Sequence, residues 1–435
     1  MSRGLPAHVV IAGAGLSGSA LALTLLRRGL EVTLLSAERA VRPAVEALPE
    51  PTVRLLQQVG LAAALRKAGG VVVRGFEGGW EPGGGPRWLD GWWVHVERSR
   101  LARAALAEAI WRGARVVAAH RASPAQRQDG NRLCWRIDGS EVQPIAVVDA
   151  TGRVARWSRP LARAGRQVAA LFNCPGSSRA EPGRRVRIEA GWAYRIAHPD
   201  QTTVGIVLER GALAGRTLPA EAAAALGVAK PQACVFSAHR PAFAQWAEEP
   251  IRGRRLAIGD AALAYDPIAG QGLRFGLASG LAAAAVISAW AKAGDPAVTT
   301  EYYRTFAGAA RQRHLRRLAE LRAGGTAAPV AAVSPAETFA AERDEFFFAA
   351  PTRRTSVNRG GRLATEEALV LADGEMVRWL GAFDLLRLRD LARTPRHGAR
   401  LRRQLVEEGL SGMDAGILLH WCLRHGVLAR RPAGR

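Results

Sequence analysis

Lysine is almost missing from this chain. Of 61 basic residues only Lys67, Lys230 and Lys292 are lysine, which leaves 58 arginines. No lysine falls between residues 68 and 229, so lysine chemistry is removed from that whole stretch. Cysteine is equally sparse. Cys134, Cys174, Cys234 and Cys422 lie far apart with no CxxC pair. That spacing excludes a disulfide scaffold or a thiolate zinc site and fits a reducing compartment. Acid is short as well, 38 residues against the 61, for a net charge of +23. This excess has two readings: base composition of the source genome, or an acidic partner. Long apolar runs are few. Val9 to Leu26 is broken by Gly13, Gly15 and Gly18, and reads as strand, turn and helix rather than a signal peptide. Phe275 to Ala291 is mostly Ala, Gly and Ser, which gain little from lipid. It reads as a helix packed on a sheet, so no membrane insertion is expected, and the chain is expected in the cytoplasm. There are no repeats and no low-complexity segments. With 435 residues, 48% of them hydrophobic, the chain has ample material for two or three folded domains.

What is present is first a nucleotide-binding pattern. His8 to Gly13 (HVVIAG) is a short buried strand, followed at once by Gly13-Ala-Gly15-Leu16-Ser17-Gly18. Ser19 to Arg28 is helical by spacing, and Glu31 to Leu35 forms a second strand. A GxGxxG between a strand and a helix, within one βαβ unit, is a dinucleotide-binding fingerprint. Gly13 permits the turn, Gly15 lets the backbone approach a pyrophosphate, and Gly18 lets helix and sheet pack closely. The helix N-terminus then faces the phosphates. The acidic residue that usually ends the second strand is missing. Ser36 stands there, with Glu38 two residues on, and either could meet the ribose.

Further along, Ala44 to Gly70 looks helical, and 71–93 reads as strands with a Trp-rich hairpin. A helix opens at Arg98. Residues 144–152 (PIAVVDATG) form a buried strand ending in Asp149 and Gly152. Strand alternation dominates 160–250, and 300–325 is a basic amphipathic helix. Ala336 to Ala350 suggests a helix ending in three phenylalanines, and 351–362 is basic and turn-forming. These patterns give an α/β fold. A Rossmann-like domain (1–70, 94–159 and 251–325) is interleaved with a β-rich substrate domain (71–93 and 160–250). A linker and small, mainly helical C-terminal domain occupy 326–435.

The most specific segment is GDAALAYDPIAGQG at 259–272. Its Gly259, Asp260 and Pro267 resemble the Gly-Asp-x6-Pro motif of FAD-dependent monooxygenases of the aromatic-hydroxylase class. The segment is also similar to that of the related flavin-dependent tryptophan halogenases. Arg98 in VERSRLARA, and VEALPEPTVRLLQQVGL at 45–61, add to a resemblance covering roughly residues 5–325. It implies FAD as cofactor and O2 as co-substrate. Asp260 would meet the ribityl chain, and Arg98 would lie near the pyrophosphate. Gly270, Gln271 and Gly272 would make room for the flavin ring, and the following helix would aim its positive end at that ring. The implied chemistry is oxygen transfer from a C4a-hydroperoxyflavin to an electron-rich aromatic ring. In the halogenases a lysine passes on the halogen and a WxWxIP motif blocks hydroxylation. Here the motif has become Trp192-Ala-Tyr194-Arg-Ile196-Ala197, so hydroxylation is the better reading.

The proton-transfer residue is not visible in the sequence. Glu46 and Asp266 are expected near the ring, as catalytic groups or as a helix cap and a surface group. His95, His198 and His239 are further candidates. Trp80, Trp88, Trp92 and Trp93 could stack on a substrate or simply pack. Electrons would come from NAD(P)H directly or through a separate flavin reductase.

Residues 412–431 are faintly winged-helix-like. With the net charge and the Trp-rich hairpin, they suggest a macromolecular substrate rather than nucleic acid. The chain is similar to the halogenase-like branch that matures tryptophylquinone cofactors, as for quinohemoprotein amine dehydrogenase. That branch implies an acidic protein or peptide substrate carrying tryptophan. A small-molecule aromatic hydroxylase or halogenase is the alternative. A flavin-containing DNA-docking regulator and an isoprenoid-type flavin reductase complete the possibilities.

Overall fold

The computed structural model describes residues 7–37, 43–78, 87–124, 133–177, 181–189, 191–209, 216–322, 344–359, 362–372, 374–380 and 383–431. The chain forms two units, residues 1–327 and 328–435.

The first unit is built on two sheets. One has six strands in the order Ile251–Arg252, Arg255–Ala257, Ala146–Asp149, His8–Ala12, Glu31–Ser36, Arg115–Ala118. All neighbours run parallel except the first pair. The β-branched runs HVVIA and AVVD are what a parallel strand covered on both faces requires. Helix Leu16–Leu26 follows the first strand, and helix Gly272–Ala291 lies against it. This second helix is long and apolar enough to cross a membrane by composition, but 61% of its 18-residue apolar window is buried inside the protein. It is a core element, as its small residues suggest.

The other sheet has eight strands: Val235–Pro241, Val168–Pro175, Gln201–Leu208, Gly191–Ile196, Gly183–Ile188, Val71–Gly78, Arg87–Glu97 and Val45–Pro49. Its two faces follow strict alternation. Ala170, Phe172, Val204 and Ile206 pack with Leu218, Ala222 and Leu226 beside the Ala220–Ala225 helix. Ala169, Leu171, Trp192, Tyr194 and Val207 point the other way, onto Ile268 and onto Leu315 and Leu318 of helix Pro296–Arg322. That second face looks toward the glycine-rich third segment, and it forms one wall of the site.

Several expectations need correction. Val45–Pro49 is a strand, pairing Val45 with Glu97 and Glu46 with Val96; helices begin only at Glu50. Sheet pairing has overridden a weak helical pattern. Cys174 and Cys234 form a disulfide although 60 residues separate them. Cys174 lies in a strand and Cys234 just before the start of its antiparallel neighbour, which pairs Asn173 with Val235 and so brings the two thiols together. The pairing withdraws the support that cysteine usage gave to a reducing compartment.

In the second unit, Glu345–Phe348 is a strand rather than a helix end, and 336–343 lie outside the described residues. Thr352–Arg359 is one arm of a hairpin with Arg362–Val370. The expected helices are there: Gly398–Glu407 and Gly412–Arg424 bury Leu401, Leu405, Leu418, Leu419 and Cys422. They close on Phe346 and Leu428 of a three-stranded sheet, so strands accompany the helices throughout this unit. The helix-then-strand order within 412–431 is as read, with Leu428–Arg430 the strand.

Candidate active site

The first glycine segment forms a cradle by three different means. A Cβ on Gly13, at φ +112°, would lie 2.2 Å from the Ala150 carbonyl oxygen. A Cβ on Gly18 would lie 2.0 Å from the Gly13 oxygen. Both positions are sterically reserved for glycine. Gly15 differs: a Cβ there meets nothing within 4 Å. Its glycine keeps open space in front of a helix N-terminus that no side chain caps. That is the space a pyrophosphate would fill. Leu16 opens this helix, and Ser17 turns inward. Its Oγ would lie 2.8 Å from a Cβ on Gly259 and 2.4 Å from one on Gly276. Ser17 therefore locks the first segment to the third, so the structure shows it packing between segments. Ser36 ends the second strand beside Ala118. Glu38 and Trp80 lie outside the described residues.

The second segment shapes its own loop. Asp149 is buried and accepts from Thr151 N and Oγ1 at 3.0 and 2.6 Å. Its other oxygen accepts from Trp157 N and Ser158 Oγ at 2.7 and 2.8 Å. Four donors occupy this carboxylate, which fixes the turn through Gly152 (φ +69°). Next in sequence, Arg153 donates to the carbonyls of Phe243 and Tyr265 at 2.9 and 2.7 Å, tying this turn to the third segment.

The third segment is a cap followed by an opening. Asp266 is buried, and its Oδ1 accepts from Ile268 N at 3.0 Å, so the cap reading holds at this position. Its own N–H donates to His314 Nε2 at 3.0 Å. Pro267 starts the turn and Gly270 ends it at φ +59°. Gln271 precedes the 20-residue helix, whose N-terminus has no side-chain cap. A Cβ on Gly270 or Gly272 would meet nothing within 4 Å. Open glycines before uncapped amides suit a flat group that gains negative charge.

Charged groups converge between the segments and the sheet wall. Arg98 Nη1 donates to Glu46 Oε1 at 2.8 Å. Glu46 first, and Asp260 more weakly, favour its charged form. Asp260 also acts on Arg153, beside Asp266. Tyr194 feels both Glu46 and Arg98; burial, then Glu46, pushes its phenol well above the ordinary value. The Arg98 side chain remains half exposed. Gly205, directly across from Tyr194, makes room for the phenol ring, since a Cβ there would lie 2.2 Å from it.

The structure thus brings together Gly13, Gly15, Gly18, Glu46, Arg98, Asp149, Gly152, Asp260, Asp266, Pro267, Gly270, Gln271 and Gly272. The histidines named from sequence are held elsewhere. His95 Nδ1 bonds Ala197 O, His198 Nε2 bonds Gly69 O, and His239 meets Phe236 edge-to-face. Trp88 is 53% exposed on the outer surface, and Trp93 packs on Phe76. Sequence reading missed Arg185, Trp246 and His314. Alternation within 183–188 and 191–196 carried the signal for Arg185, which shares a face with Tyr194; His314 and Trp246 had none.

Residues 6–131 match the FAD binding domain family. No curated protein sequence matches the chain. Among solved structures, the chain is 23% identical to QhpG, a peptidyl tryptophan dihydroxylase essential for tryptophylquinone cofactor biogenesis. That match has a TM-score of 0.69 and spans 97% of this chain and 100% of the other. It is 20% identical to CmlS, a flavin-dependent halogenase, at a TM-score of 0.74, spanning 99% and 97%. A probable FAD-dependent monooxygenase from Pseudomonas aeruginosa, pqsL, is 18% identical at a TM-score of 0.62 and spans 74% and 97%. The first two matches are too long to omit the second unit. The glycine cradle and both uncapped helix ends fit FAD.

Proposed function

From a chain that carries an FAD-binding domain within the fold of the flavoprotein monooxygenases and halogenases, we propose an FAD-dependent monooxygenase that hydroxylates a tryptophan held in a peptide or protein. The observation that carries hydroxylation over halogenation is the position of the lysines. Lys67, Lys230 and Lys292 are all exposed, and none lies on the sheet wall or the third segment. The wall instead carries Tyr194 and Trp246, both only partly buried, beside Ile268, and such apolar aromatic groups suit an indole. Bound FAD, once reduced, would supply the oxygen-activating chemistry.

The chain's own residues do the remaining work. Arg98 and the Gly15 amides would hold the cofactor's phosphates, and Asp260 its ribityl chain. Asp266 and Arg153 fix the turn that leads to the open Gly270, which would adjoin the ring. Each turnover would consume O2 and two electrons from NAD(P)H, directly or through a separate reductase, placing one oxygen on the ring and releasing the other as water. The arginine excess favours an acidic peptide, as does the coverage shared with a peptidyl tryptophan dihydroxylase.

The test is to load the full chain with FAD, reduce it under oxygen, and add acidic tryptophan peptides. Mass spectrometry should find one or two added oxygens on the indole. A yellow protein that only releases hydrogen peroxide with every peptide, yet oxygenates a free aromatic acid, would shift the reading to a small-molecule hydroxylase. A colourless protein that takes up no FAD would overturn it entirely.

A further inference from the structure

Strand Thr352–Arg359 of the second unit is an edge. Its three-stranded sheet puts Arg362–Val370 in the middle and Met376–Val377 on the far side. Among the described residues no strand pairs with the outer side of Thr352–Arg359. Val370 N–H donates to the Pro351 carbonyl at 2.8 Å, which sets the phase of the ladder. Bonded pairs alternate in an antiparallel ladder, so Arg353, Thr355 and Val357 bond inward. Thr352, Arg354 and Ser356 turn their N–H and C=O groups outward. Three such residues in a row offer donor and acceptor at the spacing that a second extended backbone carries.

The side chains decide which backbone can come. Arg353 and Arg354 are exposed, and among the described residues no acid pairs with either. The local acids have other tasks. Glu367 accepts from Thr352 Oγ1 and Arg389 Nη1 at 2.6 and 3.1 Å. Arg378 holds Asp384 through two bonds, of 2.8 and 2.6 Å, and Glu366 acts on Arg378. A second copy of this edge would set arginine near arginine, which like-charge repulsion disfavours. An acidic segment would instead meet two open guanidiniums. A cavity of about 580 Å³, lined by Thr352, Arg353, Arg354 and Arg378 among others, lies beside the strand and leaves room for incoming side chains.

We propose that the outer edge of Thr352–Arg359 is a docking site that takes an extended acidic peptide segment as an added strand. Backbone bonds supply the affinity, and the two arginines select for acid. The inference deepens the proposed function and rests on it for the source of the segment, a stretch of the peptide or protein substrate apart from the target tryptophan. Docking itself needs neither flavin nor tryptophan, so the two readings fail separately.

The test uses full-length protein with FAD present and three probes. They are a blocked Val-Glu-Val-Glu-Val-Glu-Ser peptide, its glutamine counterpart, and the acidic peptide with its three central amides N-methylated. Calorimetry gives affinity, and hydrogen exchange followed by mass spectrometry gives location. The acidic peptide should bind at least ten times tighter than either other probe and slow exchange within 352–359. Ser356→Pro removes an outward donor without touching a bond to the neighbouring strand, and it should weaken the acidic peptide at least tenfold. Arg354→Gln should weaken the acidic peptide while the glutamine peptide binds as before, and it serves if Ser356→Pro fails to fold. No binding of the acidic peptide would overturn the site, as would slowed exchange that spares 352–359. Equal binding of the plain and N-methylated acidic peptides would overturn strand addition and leave only attraction between charges. Self-association that Ser356→Pro abolishes would give the edge to a second copy and overturn the acidic partner. Docking at 352–359 with no oxygen added to any tryptophan peptide that carries the acidic segment would uphold the site and overturn the proposed function instead.

Discussion

Gly15 and Gly18 sit three positions apart and lead to opposite expectations. Gly18→Ala drives a methyl into the Gly13 carbonyl, and overpacking of this kind costs about 1–3 kcal/mol. The apoprotein should melt earlier, as calorimetry would show. Gly15→Ala places its methyl in open space, so the apoprotein should melt as wild type does while FAD affinity falls at least tenfold in a flavin titration. Normal FAD binding by Gly15→Ala would remove the pyrophosphate from this position. Both glycines were legible in the sequence, because one motif encodes both roles. The Ser17 contact was not, since its partners lie far along the chain. Tyr194 has its phenol pushed upward by burial and then by Glu46. It should therefore stay protonated up to at least about pH 10, the ordinary tyrosine value, and the ultraviolet titration of Tyr194→Phe should overlay that of wild type up to that pH. A tyrosinate signal at lower pH that the substitution removes would place this phenol in water.

Elements divide into those that carry their own punctuation and those that borrow their conformation. The glycine turns and buried β-branched strands of the six-stranded sheet were readable because local rules and the fold agree. Val45–Pro49 and Glu345–Phe348 were not, because each becomes a strand only through a partner distant in sequence. The Cys174–Cys234 bridge belongs to this second class. It ties the edge strand Val235–Pro241 to its neighbour across a separation of 60 residues. A loop of that length is worth about 2–4 kcal/mol. Oxidised protein should resist alkylation at these two cysteines, and reduction should lower the melting temperature. Full alkylation before any reduction would dismiss the bridge.

At the scale of the molecule, charge is unevenly shared. Residues 328–435 hold 17 arginines and 13 acids, so most of the +23 belongs to residues 1–327. Attraction of an acidic partner should then depend on the first unit, and its on-rate should fall steeply as salt shortens the screening length below about 8 Å. Stopped-flow binding at rising ionic strength checks this; a flat response would separate recognition from net charge. The sequence conveyed the sign of the charge but not its division, which appears only once the units are known. The Ser17 hydroxyl, wedged between Gly259 and Gly276, also has a bearing on biosynthesis. A growing chain exposes its fingerprint early, yet the residues that brace it emerge more than 240 positions later. Such long-range closure comes late in folding. Loading with flavin therefore acts as a completion mark. Chains that end before the third segment should therefore stay colourless when FAD is added, and yellow colour should report that synthesis has passed it.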